Sequence, residues 1–421
     1  MNNILVLGSG GREHALCWKI LQSDHCAELY ALPGNAGTAQ IVQNIDIPLS
    51  DFRQIGEFCK KKTISMIIVG PEKPLVDGIV DFFESNYPDI HVFGPDKEAS
   101  KLEGSKEYAK EFMKEHNIPT AAYKSFNSDQ VSEALSYLDQ NIGPYVLKAD
   151  GLAAGKGVLI IEEKEEAKTA LKEMLDGKFG VASSTVVIEE FLDGIEFSVF
   201  VITDGEDYLL LPSAKDYKRI GAGDTGLNTG GMGAISPVPF VTKEFMAGVE
   251  SQVIKPTIHG IKNRKLNYKG FIFVGLIMVG NEPKVIEYNC RMGDPETEAV
   301  IPRIESDILD LISACFTGEL KEKEIEINKQ SATTVMLVSG GYPEAYEKGK
   351  KIDLPKELNG SIIFHSGTKL KNNELQTNGG RVLALTSFGP NFKDAVQLSM
   401  DLASKVNFEG KYYRTDIGFD L

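Results

Sequence analysis

Residues 145–161 read YVLKADGLAAGKGVLII: an apolar strand, a glycine-rich turn and a second apolar strand. The β-branched runs on either side of the turn are those of buried strands. Lys148 stands on the incoming strand and Lys156 in the turn. A segment this poor in side chains lets backbone N–H groups approach a polyphosphate closely, and two ammonium groups supply countercharge. It is not a P-loop. Three residues separate Gly151 from Gly155, Gly157 stands where a Mg²⁺-binding Ser or Thr is needed, and a strand follows instead of a helix. The segment by itself leaves two readings, a plain hairpin and a phosphate cover of another kind.

N-terminal to this hairpin, residues 1–100 alternate strand and helix, with strands at 4–7, 29–32, 65–69 and 91–93. That alternation predicts a parallel doubly wound sheet with ligands at the carboxyl ends of its strands. Those ends carry GSGG (8–11), PGNAGT (33–38) and GPEK (70–73). The first looks like a dinucleotide fingerprint and departs from it twice. Glu13 stands where the third glycine belongs, and no acidic residue closes the second strand. A dehydrogenase is therefore disfavoured, while a helix start offering free N–H groups can still hold a lone phosphate.

C-terminal to the hairpin, a helix is expected over 164–175 and a strand over 185–189. The run VVIEEFLDGIEFSV (186–199) then places Glu189, Glu190, Phe191 and Leu192 at a strand end and Glu196 on the next strand. Such a connection can offer backbone hydrogen bonds to a base and a carboxylate to a ribose; acidic residues on an exposed strand end are the plainer alternative. Residues 216–236, DYKRIGAGDTGLNTGGMGAIS, read as a long glycine-rich loop in which Asp216 and Lys218 can gate a substrate. In KVIEYNC (284–290), Glu287 and Asn289 are two apart on a strand and share a face. Both offer hard oxygen ligands suited to Mg²⁺, and Arg291, Asp294 and Glu296 follow at once, as at the mouth of a site. A polar pair on an edge strand is the competing reading. The remainder has short strands, glycine turns and one helix over 392–405.

With 421 residues the chain divides into several domains, and a net charge of −15 excludes a nucleic-acid partner, which needs a basic face. No apolar run approaches the roughly 20 residues of a membrane span, and no basic leader precedes the first strand, so a cytoplasmic protein is expected. Five cysteines without C-x-x-C spacing fit free thiols in a reducing compartment. The six histidines show no metal-ligand spacing, and no G-x-S-x-G is present.

Taken in order, GSGGREHAL (8–16), PGNAGT (33–38), KADGLAAGKGV (148–158), NTGGMGA (228–234), EYNCRMGDPET (287–297) and NGGRVL (378–383) resemble the ATP-grasp carboxylate–amine ligases, and within them the phosphoribosylamine–glycine ligase family. Tyr217, where histidine is expected, and Met292, where phenylalanine is common, are small departures. The resemblance implies an α/β and α+β multidomain fold. It comprises an N-terminal doubly wound parallel sheet (1–102), an ATP-grasp first part with a mobile lid (103–190, lid about 123–190), a second part with the metal site (191–327) and a small C-terminal β-rich domain (328–421). It also implies ATP and Mg²⁺ or Mn²⁺ as cofactors, glycine and 5-phosphoribosylamine as small-molecule substrates, a glycyl phosphate intermediate, and a monomer. Lys106, Lys148 and Lys156 would then meet ATP phosphates, Glu189 to Leu192 the adenine, and Glu196 the ribose. Glu287 and Asn289 would hold the metal and Arg291 the acyl phosphate; Asp294 or Asp216 would hold the glycine ammonium, Lys218 would line the substrate site, and Gly10, Asn35 and Glu72 would hold phosphoribosylamine. Two other readings stand beside this one: a ligase acting on another carboxylate or bicarbonate, and a nucleotide-binding regulator without turnover. The set Lys148, Glu287, Asn289 and Arg291 argues against the second, since a mere binder has no need of it.

Overall fold

The computed structural model describes residues 2–152 and 157–421, so the expected role of Lys156 lies outside the described residues. Four parallel strands, Cys26–Pro33, Asn2–Gly8, Ile64–Val69 and His91–Pro95, lie side by side in that order. Their apolar runs are buried on both faces, as a helix-covered parallel sheet requires. The sheet does not stop there. His91–Pro95 pairs antiparallel with the first residues of Tyr268–Val279, through Tyr268 opposite Pro95 and Lys269 opposite Gly94. Gly270 makes this join possible: a Cβ there would lie 3.2 Å from the Cα of Gly94. Tyr268–Val279 then pairs with Ile195–Thr203 on one side and Glu282–Asn289 on the other, both antiparallel. Among the described residues, nine strands form this one mixed sheet, running from the parallel N-terminal unit into the strand that carries Glu287 and Asn289.

The opening hairpin belongs to a separate four-stranded antiparallel sheet, in the order Tyr123–Asn127, Thr185–Glu189, Tyr145–Ala149, Val158–Ile161. Helices Val131–Gln140 and Lys164–Leu175 bury apolar side chains against it, giving it a core of its own around Phe126, Leu147, Leu171 and Ile188. Strand and helix limits here match the sequence reading within a residue or two because the patterns are local and unbroken.

The glycine-rich stretch 216–236 departs from expectation. It forms a short hairpin, Arg219–Gly221 with Thr225–Asn228, and ends in the strand Gly233–Ser236. That strand pairs with Ser331–Val338 inside a five-stranded sheet completed by Lys215–Asp216, Arg381–Gly389 and Ile362–His365. Helix Phe392–Lys405 covers this sheet. Glycine hid the strand: it lowers apparent β-propensity, yet only glycine fits at 233, where a Cβ would lie 2.7 Å from the Thr334 carbonyl. No helix of the described residues is long and apolar enough to cross a membrane.

Candidate active site

A cavity of about 470 Å³ opens where the mixed sheet, the four-stranded sheet and the C-terminal sheet meet. It has the size of a small-molecule site. Its walls collect Glu72, Lys106, Glu189, Asp216, Lys218, Glu287, Asn289, Arg291 and Asp294, from segments far apart in the chain.

At one end, two lysines share a single carboxylate, with Lys106 nearby. Lys148 Nζ lies 2.9 Å and Lys110 Nζ 3.1 Å from Glu189 Oε2, all three side chains being buried. Lys148 Nζ also donates to the Ile286 carbonyl at 3.4 Å, and Lys106 Nζ to the Gly151 carbonyl at 3.4 Å, which ties the opening hairpin to the mixed sheet. Burial pushes the Lys110 ammonium down to about 8 against the pull of Glu189, and it lowers Lys106 against the pull of Glu287. Two cations on one carboxylate leave an excess of positive charge there in a poorly solvated place, the condition for binding an anion. Glu189 Oε2 is taken by the lysines, whereas its buried Oε1 has no hydrogen-bond partner among the described residues. Glu190 and Phe191 lie beside a separate shallow groove lined also by Ile142 and Tyr145. Leu192 stands in the irregular link before Ile195–Thr203.

Opposite the lysines, the strand Glu282–Asn289 presents Glu287 and Asn289 to the same cavity. Their side chains approach to 3.5 Å, from Asn289 Nδ2 to Glu287 Oε1, and Arg291 donates to Asn289 Oδ1 at 3.0 Å. Among the described residues no cluster of three His, Cys, Asp or Glu side chains is spaced to hold a metal unaided. Two hard oxygen donors on one strand face, opposite an anion-binding end, fit a hydrated cation that takes its remaining ligands from phosphate. Arg291 is clasped by Glu103 at 2.8 Å and approaches Glu72 at 3.6 Å. Burial raises the Glu103 carboxyl although Arg291 opposes it; at Glu72 burial is outweighed by Arg291, a backbone hydrogen bond and Arg12 together, and that carboxyl is held low.

The third wall comes from the 215–236 stretch. Lys218 Nζ sits 2.6 Å from Glu196 and 3.8 Å from Asp216. Burial disfavours its charge, yet Asp216 and Glu196 together hold the ammonium well above its usual range. Burial raises the Asp216 carboxyl, and burial with the nearby Asp216 charge raises Glu296. Asp294 pairs with Arg381 at 3.0 Å and accepts from the Arg12 backbone N–H at 3.4 Å.

Gly10 and Asn35 line an adjoining cavity of about 330 Å³, shared with Asp294, Ser366, Asn378 and Arg381. The Asn35 side chain is fully occupied. Its amide donates to the carbonyls of Ser9 and His365 at 2.9 and 2.6 Å, and its oxygen accepts from Gly37 and Thr38. It thus staples two N-terminal loops to the C-terminal sheet. Sequence reading missed Arg12, Glu103, Lys110 and Arg381, all of which line the main cavity. Lys110 was within reach, lying four residues after Lys106 on one helix face. Nothing local marks Arg381, which arrives from the C-terminal sheet.

Family models of phosphoribosylglycinamide synthetase match the chain in three parts: the N domain over residues 2–103, the ATP-grasp (A) domain over 104–297 and the C domain over 332–420. The chain is 46% identical over 424 residues to the phosphoribosylamine–glycine ligase of Vibrio vulnificus strain CMCP6, covering 99% of this chain and 98% of that one. It is 45% identical to that of Pasteurella multocida strain Pm70, covering 99% and 97%. The crystal structure of phosphoribosylamine–glycine ligase from Thermotoga maritima superposes with a TM-score of 0.85 at 36% identity, covering 98% and 99%. A biotin carboxylase from Campylobacter jejuni shares the fold at 14% identity and a TM-score of 0.75, covering 97% and 92%.

Proposed function

The chain belongs to the phosphoribosylamine–glycine ligase family, ATP-grasp ligases of purine biosynthesis, and we propose that its cleft joins glycine to 5-phosphoribosylamine through glycyl phosphate, releasing ADP and phosphate. A free carboxylate is a poor acyl donor. One glycine oxygen therefore attacks the γ-phosphorus and displaces ADP; the amine nitrogen then attacks the acyl carbon, phosphate leaves, and the nitrogen gives up a proton. Catalysis of such a transfer is mostly positioning and charge stabilisation.

The observation that carries this reading is the charge layout of one cavity, with Lys110 and Lys148 paired to Glu189 at one end, Lys106 nearby, and Glu287 with Asn289 facing them. Lys106 and Lys148 take the ATP phosphates, joined by Lys156. The backbone of Glu189 to Leu192 takes the adenine, and Glu196 the ribose once Lys218 releases it. Glu287 and Asn289 hold Mg²⁺ or Mn²⁺, which offsets the repulsion between a carboxylate and a polyphosphate, about 4 kcal/mol per charge pair at 4 Å and an effective dielectric near 20. Arg291, steadied by Glu103 and Glu72, neutralises the acyl phosphate. Asp216, Lys218 and Asp294 surround glycine, while Gly10, Asn35 and Glu72 border the place of phosphoribosylamine. In this division residues 1–102 present the amine, 103–190 and 191–327 hold ATP between them, and 328–421 close the far side. The cleft is complete within one chain, which supports a monomer; substrates of nucleotide metabolism support a cytoplasmic enzyme.

The test is ADP release with ATP, Mg²⁺, glycine and freshly prepared phosphoribosylamine, together with detection of the amide product. Glycine-independent release that requires bicarbonate would replace this reading with a carboxylase. In the same assay Glu287→Gln should lose turnover while keeping the fold, and near-normal activity at low Mg²⁺ would remove Glu287 from the metal site.

A further inference from the structure

Asp216 and Lys218 line the main cavity, whereas Tyr217 between them is buried in the core of the C-terminal sheet. The Tyr217 hydroxyl donates to Asp420 Oδ1 at 2.9 Å, and Asp420 also pairs with Lys215 at 3.1 Å. On the other side of Lys218, the fully buried Arg414 donates to Asp224 at 2.5 Å and to the Arg219 carbonyl at 3.2 Å. Asp416, itself bound by Arg414, accepts from the Gly223 N–H at 2.7 Å. The Arg414 guanidinium also stands 5.3 Å from the centre of the Tyr217 ring.

Every contact in this set reaches the backbone or side chains flanking Lys218, and none reaches the cavity. The hairpin that follows Lys218 pairs Arg219 with Asn228 and Gly221 with Thr225, the Lys218 carbonyl accepts from the Thr229 N–H and hydroxyl at 2.8 Å, and the second strand is exposed throughout. A two-stranded hairpin of that size does not hold itself in water. A lysine on four rotatable bonds presents its ammonium at a defined point only where its backbone is fixed. We propose that Arg414 and Asp420 are positioning residues that set the location of Lys218 in the cleft from outside it. The C-terminal segment thereby does more than close one side of the site. The inference rests on the reading above in which Asp216 and Lys218 hold glycine.

The experiment measures kcat and KM for glycine and for ATP by ADP release, with the unfolding midpoint, in full-length Asp420→Asn, Arg414→Lys, Lys218→Met and the two double variants. Displacement of a binding group by a fraction of an ångström should raise the glycine KM about five- to twentyfold in Asp420→Asn and Arg414→Lys, with the ATP KM within about twofold. Because both residues act through Lys218, neither change should add to the effect of Lys218→Met, a non-additivity that general destabilisation does not produce. Additive losses, or equal rises in both KM values, overturn the proposal. An unchanged glycine KM in the two single variants, with a raised one in Lys218→Met, overturns it alone. An unchanged glycine KM in Lys218→Met overturns the glycine assignment and the proposal with it. Asp420 is partly exposed, so Asp420→Asn decides the matter even where Arg414→Lys fails to fold.

Discussion

Two stretches of this chain, residues 151–157 and 221–233, share a glycine-rich composition, and their described residues are tied to different parts of the molecule. At the ends of the first, Ala149 donates to the Gly157 carbonyl at 2.8 Å and Gly151 to the Ala182 carbonyl at 3.0 Å. Lys106 and Lys148 tie this hairpin to the rest of the cleft, and its sheet has its own core. The second is pinned from three directions. Arg381 donates to the Gly230 carbonyl at 2.5 Å, Gly231 lies against Pro295, and Gly233 lies against Thr334. At Gly151, as at Gly231 and Gly233, glycine lets segments pack where a Cβ cannot fit; at 151 it would lie 2.9 Å from the Ala182 Cα.

The contrast can be broken on the first side by removing its lysine. Lys148→Met leaves the buried Glu189 with only Lys110 and strips countercharge from the phosphate end, so kcat/KM for ATP should fall by about 10²- to 10³-fold, roughly 3–4 kcal/mol. Initial rates of ADP release measure this, and a loss under tenfold would detach the hairpin from phosphate binding. On the second side, Arg381→Met leaves Asp294 buried without its partner, and urea unfolding should show a loss of about 3 kcal/mol. If stability holds while activity drops, Arg381 serves the ligand more than the frame.

A glycine pair sharpens the comparison further. Gly231 has φ +114° with a Cβ position 2.4 Å from Pro295 Cδ, whereas Gly223 has φ +65° and open space around it. Gly231→Ala should destabilise by about 2–3 kcal/mol, from strain and overpacking. Gly223→Ala should lose only about 1 kcal/mol, the left-handed penalty alone. Equal losses in thermal unfolding would mean that packing is not what glycine supplies at 231.

A further effect concerns pH. Burial pushes His14 down to about 3, helped by His365, and His365 down to about 4. His14 Nδ1 accepts from the His365 backbone N–H at 2.8 Å, joining the first helix to the C-terminal sheet. Both folded values lie below the unfolded value near 6.5, so the unfolded chain binds more protons and stability declines as pH falls below that value. Each histidine should remove on the order of 1–2 kcal/mol between pH 6.5 and 5. No histidine lies between 116 and 259, so amide exchange in the four-stranded sheet should be free of this effect. His14→Gln should flatten the C-terminal response, and an unchanged slope would place the acid sensitivity elsewhere.

Much of the fold was legible because its signals are local. Helix 164–175 and strand 185–189 fall where periodicity and apolar runs put them. Glu287 and Asn289 share a face because a strand alternates with period two. The strand at 233–236 escaped because its glycines serve a contact with residues about a hundred positions later. The Asn35 side chain illustrates the same limit: its position at a strand end was readable, whereas its bond to the His365 carbonyl was not.

The sequence alone therefore determined the element types, the hard-oxygen pair, the lysine of the opening hairpin and the family. Each depends on residues within a few positions of one another or on an ordered series of motifs. Only the tertiary structure decided that Glu189 faces Lys110 and Lys148, that Arg381 reaches Asp294, and that Asp420 and Arg414 contact Tyr217 and Arg219 on either side of Lys218. A local pattern records which face of an element is buried. Which charge it meets there depends on how distant segments close on each other, and no local pattern carries that.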